Sequence, residues 1–180
     1  MDRIIAGSVK AVQEAQGNME SVQVRRGQGI LHGIGKNRRS LEDTPDPNLQ
    51  VLGFYAGPSL VGCVVNFALH PTVLGADNLL YSADYPGYIR KFITRHHPRC
   101  STLVLNGAAG NINIGYSADA SALGEVMDFR TFRKAEEVGL AIAQEALAAL
   151  QQSLSMEKIR ICVGSSKIEL PLKRLPSLRE

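Results

Sequence analysis

Tryptophan is absent, aromatic residues make up only 6% of the 180 positions, and cysteine occurs three times. Cys63, Cys100 and Cys162 are odd in number and far apart, which excludes a dense disulfide framework and a CxxC zinc knuckle. Reduced, mostly buried thiols are expected instead. No run approaches the roughly 20 apolar residues that cross a bilayer. The opening Met1-Asp2-Arg3 leads into an amphipathic pattern, unlike the apolar stretch of a secretory leader. A soluble chain, cytoplasmic by default, is the expectation from these residues; a secreted protein stays open if a leader has been lost.

Blocks of like charge are missing too. Lys and Arg total 20 against 17 acidic residues, for a formal charge of +3, and the positives are spread over Lys10, Arg25, Arg38, Arg90 and Lys134. No nucleic-acid partner is expected from such scatter. One looser patch, Arg25, Arg26, Lys36, Arg38 and Arg39, suits an anionic surface such as phosphate or lipid headgroups. Internal repeats and low-complexity segments are absent. What is present is 44% hydrophobic residues, enough for one core, so a single domain or part of one is expected.

Apolar residues from Asp2 to Asn18 recur every three to five positions (Ile4, Ile5, Val9, Val12, Ala15), which predicts a helix with one face buried against a sheet. Val22, Val24, Ile30 and Ile34 predict short strand segments broken by Gly27, Gly29, Gly33 and Gly35, and 37–48, with Pro45 and Pro47, predicts an exposed loop. Two stronger strands, 49–56 and 60–69, flank Gly57 and Pro58 and read as a hairpin. The second is almost continuously apolar, predicting a central strand covered on both faces. His70 emerges at its C-terminal end.

Ser82 and Asp84 offer N-cap chemistry for a helix carrying Tyr88, Ile89, Phe92 and Ile93 inward and closed by Pro98. A short buried strand at 102–105 leads into the glycine-rich loop 106–115. The longest helix is predicted over 128–154, and a last pair of strands over 158–163 and 168–172. The fold class is therefore α/β: a mixed β-sheet flanked by helices, one domain, incomplete, with a 170–180 tail leading to a further segment.

In open α/β sheets, ligands gather where loops leave the strand C-termini. His70 and the loop Asn106 to Asn113 are thus expected to share a crevice. A neutral imidazole there suits a metal ion or a general base, although a satisfied histidine at a strand end is the plainer alternative. His96 and His97 point about 100° apart on a helix end and cannot join one ion. Asp77 and Asp84 are carboxylates more suited to turns and caps. Arg38 could clamp a carboxylate or a developing oxyanion through its planar fork. The glycine-rich loop lacks the Lys-Ser/Thr of a P-loop, so its phosphate reading is weak.

Asn37-Arg38-Arg39-Ser40, then NFALHPTVLGADNLLYSADYPGYIRKFI (66–93), then VLNGAAGNINIG (104–115), resemble the catalytic domain of the neutral/alkaline non-lysosomal ceramidase family. The resemblance runs from about Ile5 to Pro176 and implies a zinc-dependent amidase that cleaves the N-acyl bond of ceramide. It implies that His70 is a zinc ligand and that Arg38 lies near the reacting amide. Gly110 to Asn113 matches the family's Gly-Asp-x-Ser segment, so Asn111 and Asn113 join Arg38 as catalytic candidates. Asn37, Gly107 and Gly110 become candidates for binding substrate or the oxyanion.

The sequence departs from that pattern: Asn113 replaces the serine, Asn111 the aspartate and Ile114 a proline. An amide cannot act as a serine-like nucleophile, whereas a metal-activated water needs no hydroxyl side chain. The family's other zinc ligands, a histidine upstream and a glutamate and a tyrosine downstream, have no counterparts here, so an internal fragment holding one ligand of a Zn2+ ion is expected. Three functions follow: a zinc-dependent hydrolase of a small-molecule or lipid amide, a catalytically silent binding or scaffold module, and an anion-binding domain built on Arg38 and the glycine-rich loop. The oligomeric state, a homo-oligomer included, is left open.

Overall fold

The computed structural model describes residues 2–40 and 42–171. The chain order is α1 (Asp2–Gly17), β1 (Gln23–Ile30), β2 (Lys36–Asn37), β3 (Asn48–Ala56), β4 (Ser59–Phe67), α2 (Asp84–His96), β5 (Ser101–Asn106), β6 (Ile112–Asn113), α3 (Ala118–Ala122), α4 (Phe132–Gln151) and β7 (Leu154–Ser155). Five strands form one mixed sheet in the order β5-β4-β3-β1-β7, and β2 pairs with β6 apart from it. The expected class, helices with a mixed sheet in one small domain, is what the chain adopts.

The β3–β4 hairpin turns through Gly57-Pro58, where Gly57 takes a φ of +58° that other residues rarely adopt. β4 and β5 run parallel, with Phe67 opposite Asn106, while β1 and β4 each lie antiparallel to β3. The C-termini of β1, β4 and β5 therefore lie at one end of the sheet. The loops that leave them, 31–40, 68–83 and 107–117, share that end.

One face of the sheet carries Leu49, Val51, Cys63, Val65 and Phe67, all buried, against Ile89 and Ile93 of α2 and Ala135, Ile142 and Ala146 of α4. The two helices approach closely because Gly139 has no side chain: a Cβ there would sit 2.6 Å from Tyr88 Cβ and 2.7 Å from the Tyr85 carbonyl oxygen. Gly27 does the same for the sheet, where a Cβ would lie 2.5 Å from the Ala149 carbonyl oxygen. Thus the glycines expected to break β1 instead let α4 lie against an unbroken eight-residue strand.

The opposite face departs from expectation. By register it carries Phe54 and Leu52 of β3, Val64 and Asn66 of β4, and Leu103 and Leu105 of β5. Leu103 and Leu105 are exposed and Val64 only half-buried. β4 is central in pairing but covered on one face, and β5 is not the buried strand predicted, because both packed helices lie on the same side. α1 forms as predicted, yet none of its residues is buried. The face it would need is already held by α2 and α4, and only the 15–22 stretch approaches the open side, beside Phe54, Val61 and Gly62.

Other boundaries shift for local reasons. α4 begins at Phe132, not 128, because the Thr131 hydroxyl caps it by accepting from the Lys134 amide at 3.1 Å. Leu154 belongs to β7 instead of the helix. The expected strand 158–163 and the described part of the expected strand 168–172 form no strand and are exposed; Leu172 and the rest of the predicted tail lie outside the described residues. Cys63 and Cys100 are buried free thiols as expected, but Cys162 is exposed. Among the described residues no helix is long and apolar enough to cross a membrane.

Candidate functional site

The three loops at the C-terminal end of the sheet are tied to one another through main-chain bonds. Lys36 and Asn37 pair with Asn113 and Ile112, and the Arg38 amide donates to the Asn111 carbonyl at 2.9 Å. The His70 amide donates to the Ile112 carbonyl at 3.0 Å, and the Gly107 amide to the Phe67 carbonyl at 3.0 Å. Arg38, His70 and the 107–113 loop, far apart in sequence, thus share one junction.

His70 is half-buried, and its ring makes no hydrogen bond among the described residues. Arg38 is half-buried as well. Its Nη2 donates to the Gly110 carbonyl at 2.9 Å, while its Nε is enclosed without a partner. An unpartnered buried donor costs about 1–3 kcal/mol. Its guanidinium therefore keeps donor capacity that the protein itself does not use.

The asparagines divide by environment. Asn37 is buried within the stretch expected to be an exposed loop; its Oδ1 accepts from the Arg39 amide at 2.9 Å and the Ser40 amide at 3.3 Å, and its Nδ2 donates to Asp43 at 3.2 Å. It shapes the turn that presents Arg38. Asn113 has no exposed surface: its Oδ1 accepts from Gly115 at 2.7 Å and Tyr116 at 3.1 Å, and its Nδ2 donates to the Tyr116 carbonyl at 2.8 Å. Both ends of its amide hold that turn. Asn111 is half-buried and Gly110 exposed on the rim of the loop, with Gly107 half-buried beneath.

The segment around His70 is held from several sides. Tyr85, buried at the start of α2, donates from its hydroxyl to the Leu69 carbonyl at 2.7 Å. Burial, then the adjacent Asp84 carboxylate, pushes the Tyr85 hydroxyl well above its ordinary value. Asp84 does not act as a simple N-cap, since Ala83 occupies that position. Its carboxylate accepts from Leu74 at 2.9 Å and from Tyr85 at 2.7 Å, holding Asp84 at a φ of +52°, a left-handed conformation that aspartate tolerates at modest cost. Arg130 and Tyr116, which the sequence reading did not single out, complete the surround; the separation of Arg130 from its partners, 56–58 positions, left no local signal.

A zinc ion needs about four protein or solvent ligands. Among the described residues no three His, Cys, Asp or Glu side chains come together, so His70 stands as a single donor and these residues do not by themselves fit a zinc site. A separate cavity of about 600 Å³ opens on the uncovered sheet face between Leu52, Val64, Asn66 and Leu105; neither Arg38 nor His70 lines it. Cys63 and Cys100 lie in the core, where burial, then the neighbouring Cys100, pushes the Cys63 thiol up to about 12. Such thiols are unreactive at neutral pH.

No family model matches the chain. It is 28% identical over 170 residues to the neutral ceramidase of Pseudomonas aeruginosa, a match covering 82% of this chain and 25% of that protein. Its fold superposes on the crystal structure of the Pseudomonas aeruginosa neutral ceramidase with a TM-score of 0.68 at 23% identity, over 84% of this chain and 26% of that one. A ceramidase structure complexed with C2 gives a TM-score of 0.61 at 22% identity, over 78% and 24%. The chain thus spans about a quarter of the length of the curated relative it matches. The resemblance drawn from its motifs is present in both sequence and fold.

Proposed function

We propose that these residues build one wall of the active site of a hydrolase resembling neutral ceramidase, acting on an N-acyl amide or a related ester. The observation that supports the reading is the junction itself: Arg38, His70 and the 107–113 loop, in the same order as the resembling family motifs, are fastened together at the strand C-termini by the Arg38–Asn111 and His70–Ile112 bonds. Loops at that end converge without interrupting the sheet.

In this reading Arg38 receives the acyl carbonyl. Its Nη2 is anchored on Gly110, which fixes the plane of the fork, and its remaining donors meet the oxygen as negative charge develops there. Asn111 and the Gly107–Gly110 backbone line the same side and contact the substrate. Asn37 and Asn113 act one step back, the first by shaping the turn at Arg38 and the second by holding the loop. His70 contributes its imidazole as a proton acceptor or as a ligand for Zn2+. Because the described residues supply only that one donor, no step is assigned to the metal. The occupied amide of Asn113 gives no nucleophile, so attack on the carbonyl comes from water.

The test is hydrolysis of N-acyl sphingoid, shorter N-acyl amide and ester substrates by the protein and by its Arg38→Lys and His70→Ala variants. Loss of one oxyanion donor lowers turnover by about 10²–10³, and that is expected for Arg38→Lys, with no turnover in His70→Ala. Undiminished turnover in both variants would remove the assignment. A binding module is the second reading, favoured by the buried Asn113 and the lone histidine. Saturable binding of the same amides with no turnover at any pH would establish it instead.

A further inference from the structure

Arg130 is half-buried, and its guanidinium makes no ion pair among the described residues. It donates instead to three consecutive carbonyls: Nη2 to Thr72 at 3.1 Å and to Leu74 at 2.7 Å, and Nε to Val73 at 3.3 Å. The guanidinium carbon lies 4.2 Å from the centre of the Tyr116 ring. That ring's hydroxyl donates to Thr72 Oγ1 at 2.7 Å, so one segment is gripped from both sides of the stack. Thr72 in turn donates from its amide to the His70 carbonyl at 2.8 Å.

The opposite edge of the segment is closed by Asp84, whose carboxylate takes the Leu74 amide. Asn113 fixes Tyr116 through both its N–H and its carbonyl. A chain of contacts therefore runs from Asn113 through Tyr116 and Arg130 to residues 72–74, and so to the backbone of His70. A charged fork whose Nε and Nη2 donate to main-chain carbonyls while its plane lies on an aromatic face suits holding a loop in one conformation.

We propose that Arg130 is a positioning residue for His70: its guanidinium, braced on Tyr116, locks 72–74 and thereby sets where the imidazole stands against the Arg38 junction. This rests on His70 being a functional group of the site proposed above. A lysine at 130 presents one ammonium that cannot reach three carbonyls and stack at once. Arg130→Lys should then fail almost as fully as Arg130→Gln, although it keeps the charge.

The test is acylation of histidines by diethyl pyrocarbonate, followed by mass spectrometry on the protein and on Arg130→Lys, Arg130→Gln and Tyr116→Leu. His96 and His97, at the far end of α2, are the internal controls, since His32 lies in a loop at the same end of the sheet as His70. Loss of a charge-assisted hydrogen bond shifts a local opening equilibrium by about tenfold or more, so the His70 rate is expected to change by about that factor in all three variants while the control rates hold. Restoration of the wild-type rate by Arg130→Lys would overturn the proposal. So would a His70 rate unchanged in Arg130→Gln, or equal acceleration at His70, His96 and His97. The reactivity readout needs no turnover, so absence of amide hydrolysis would count against the function alone. Where hydrolysis is present, kcat should fall in Arg130→Lys with KM little changed.

Discussion

Placing serine at position 113 tests whether the loop is a scaffold or can supply a nucleophile. In Asn113→Ser, one short hydroxyl replaces an amide that now takes the Gly115 and Tyr116 amides and gives a hydrogen to the Tyr116 carbonyl. The hydroxyl can satisfy at most part of that set, and the site has no access to water. With each lost bond worth about 1 kcal/mol and each stranded buried group about 1–3 kcal/mol, the substitution should cost about 2–4 kcal/mol. With a urea m-value of about 2 kcal/mol/M, the unfolding midpoint falls by about 1–2 M. Urea titration followed by far-ultraviolet circular dichroism measures this directly. The reasoning is refuted if Asn113→Ser unfolds at the wild-type midpoint, because the three bonds would then carry no stability. It is equally refuted if the variant gains hydrolysis without losing stability.

Tyr85→Phe leaves the Leu69 carbonyl without its donor and should lower stability by about 1–2 kcal/mol in the same titration. Stability should also decline at alkaline pH: the fold keeps Cys63 protonated up to about 12, whereas in the unfolded chain it ionises near 9.0, so the contribution is intact below pH 9 and is lost as pH rises toward 12. The slope is at most about 1.4 kcal/mol per pH unit from this thiol, with Tyr85, also raised by burial, adding to it; the Cys63→Ala variant should flatten the profile between pH 9 and 12. Ile142→Ala, which empties a fully buried position between α4 and the sheet, should cost about 2–5 kcal/mol by thermal or urea unfolding. Elemental analysis of the 180-residue chain after dialysis against micromolar zinc should find well under one ion per molecule, since one imidazole is far from the four ligands a stable site uses.

The hairpin and the placing of His70 in the loop after β4 were legible because the apolar run 60–69 and the Gly57-Pro58 turn are local signals, although the strand ends at Phe67, before Ala68 and Leu69. Helices α1, α2 and α4 were legible from periodicity, though α1's exposure was not, because periodicity reports an apolar stripe and not what covers it. The same limit applies to 158–163, whose alternation marks a strand only where a neighbouring strand receives it. The convergence of the His70 and 106–113 loops followed from strand ends, whereas the 31–40 loop was joined to them by the motif match alone. The fastening of the three was not legible, since β2 and β6 are two residues each and carry no pattern. The roles of Asn113, Tyr116 and Arg130 depend on contacts made across the fold, and the motif match alone pointed to Asn113 as chemistry, whereas its surroundings show a buried amide bonded at both ends within the loop.

The most direct test of the site is a titration of the isotopically labelled protein with a short-chain N-acyl amide, read by amide chemical shifts. The account predicts saturable shifts concentrated at Arg38, His70 and Gly107 to Asn111, abolished in Arg38→Ala. Shifts confined to the open sheet face around Leu52, Val64 and Leu105, or none at any of these positions, would contradict it.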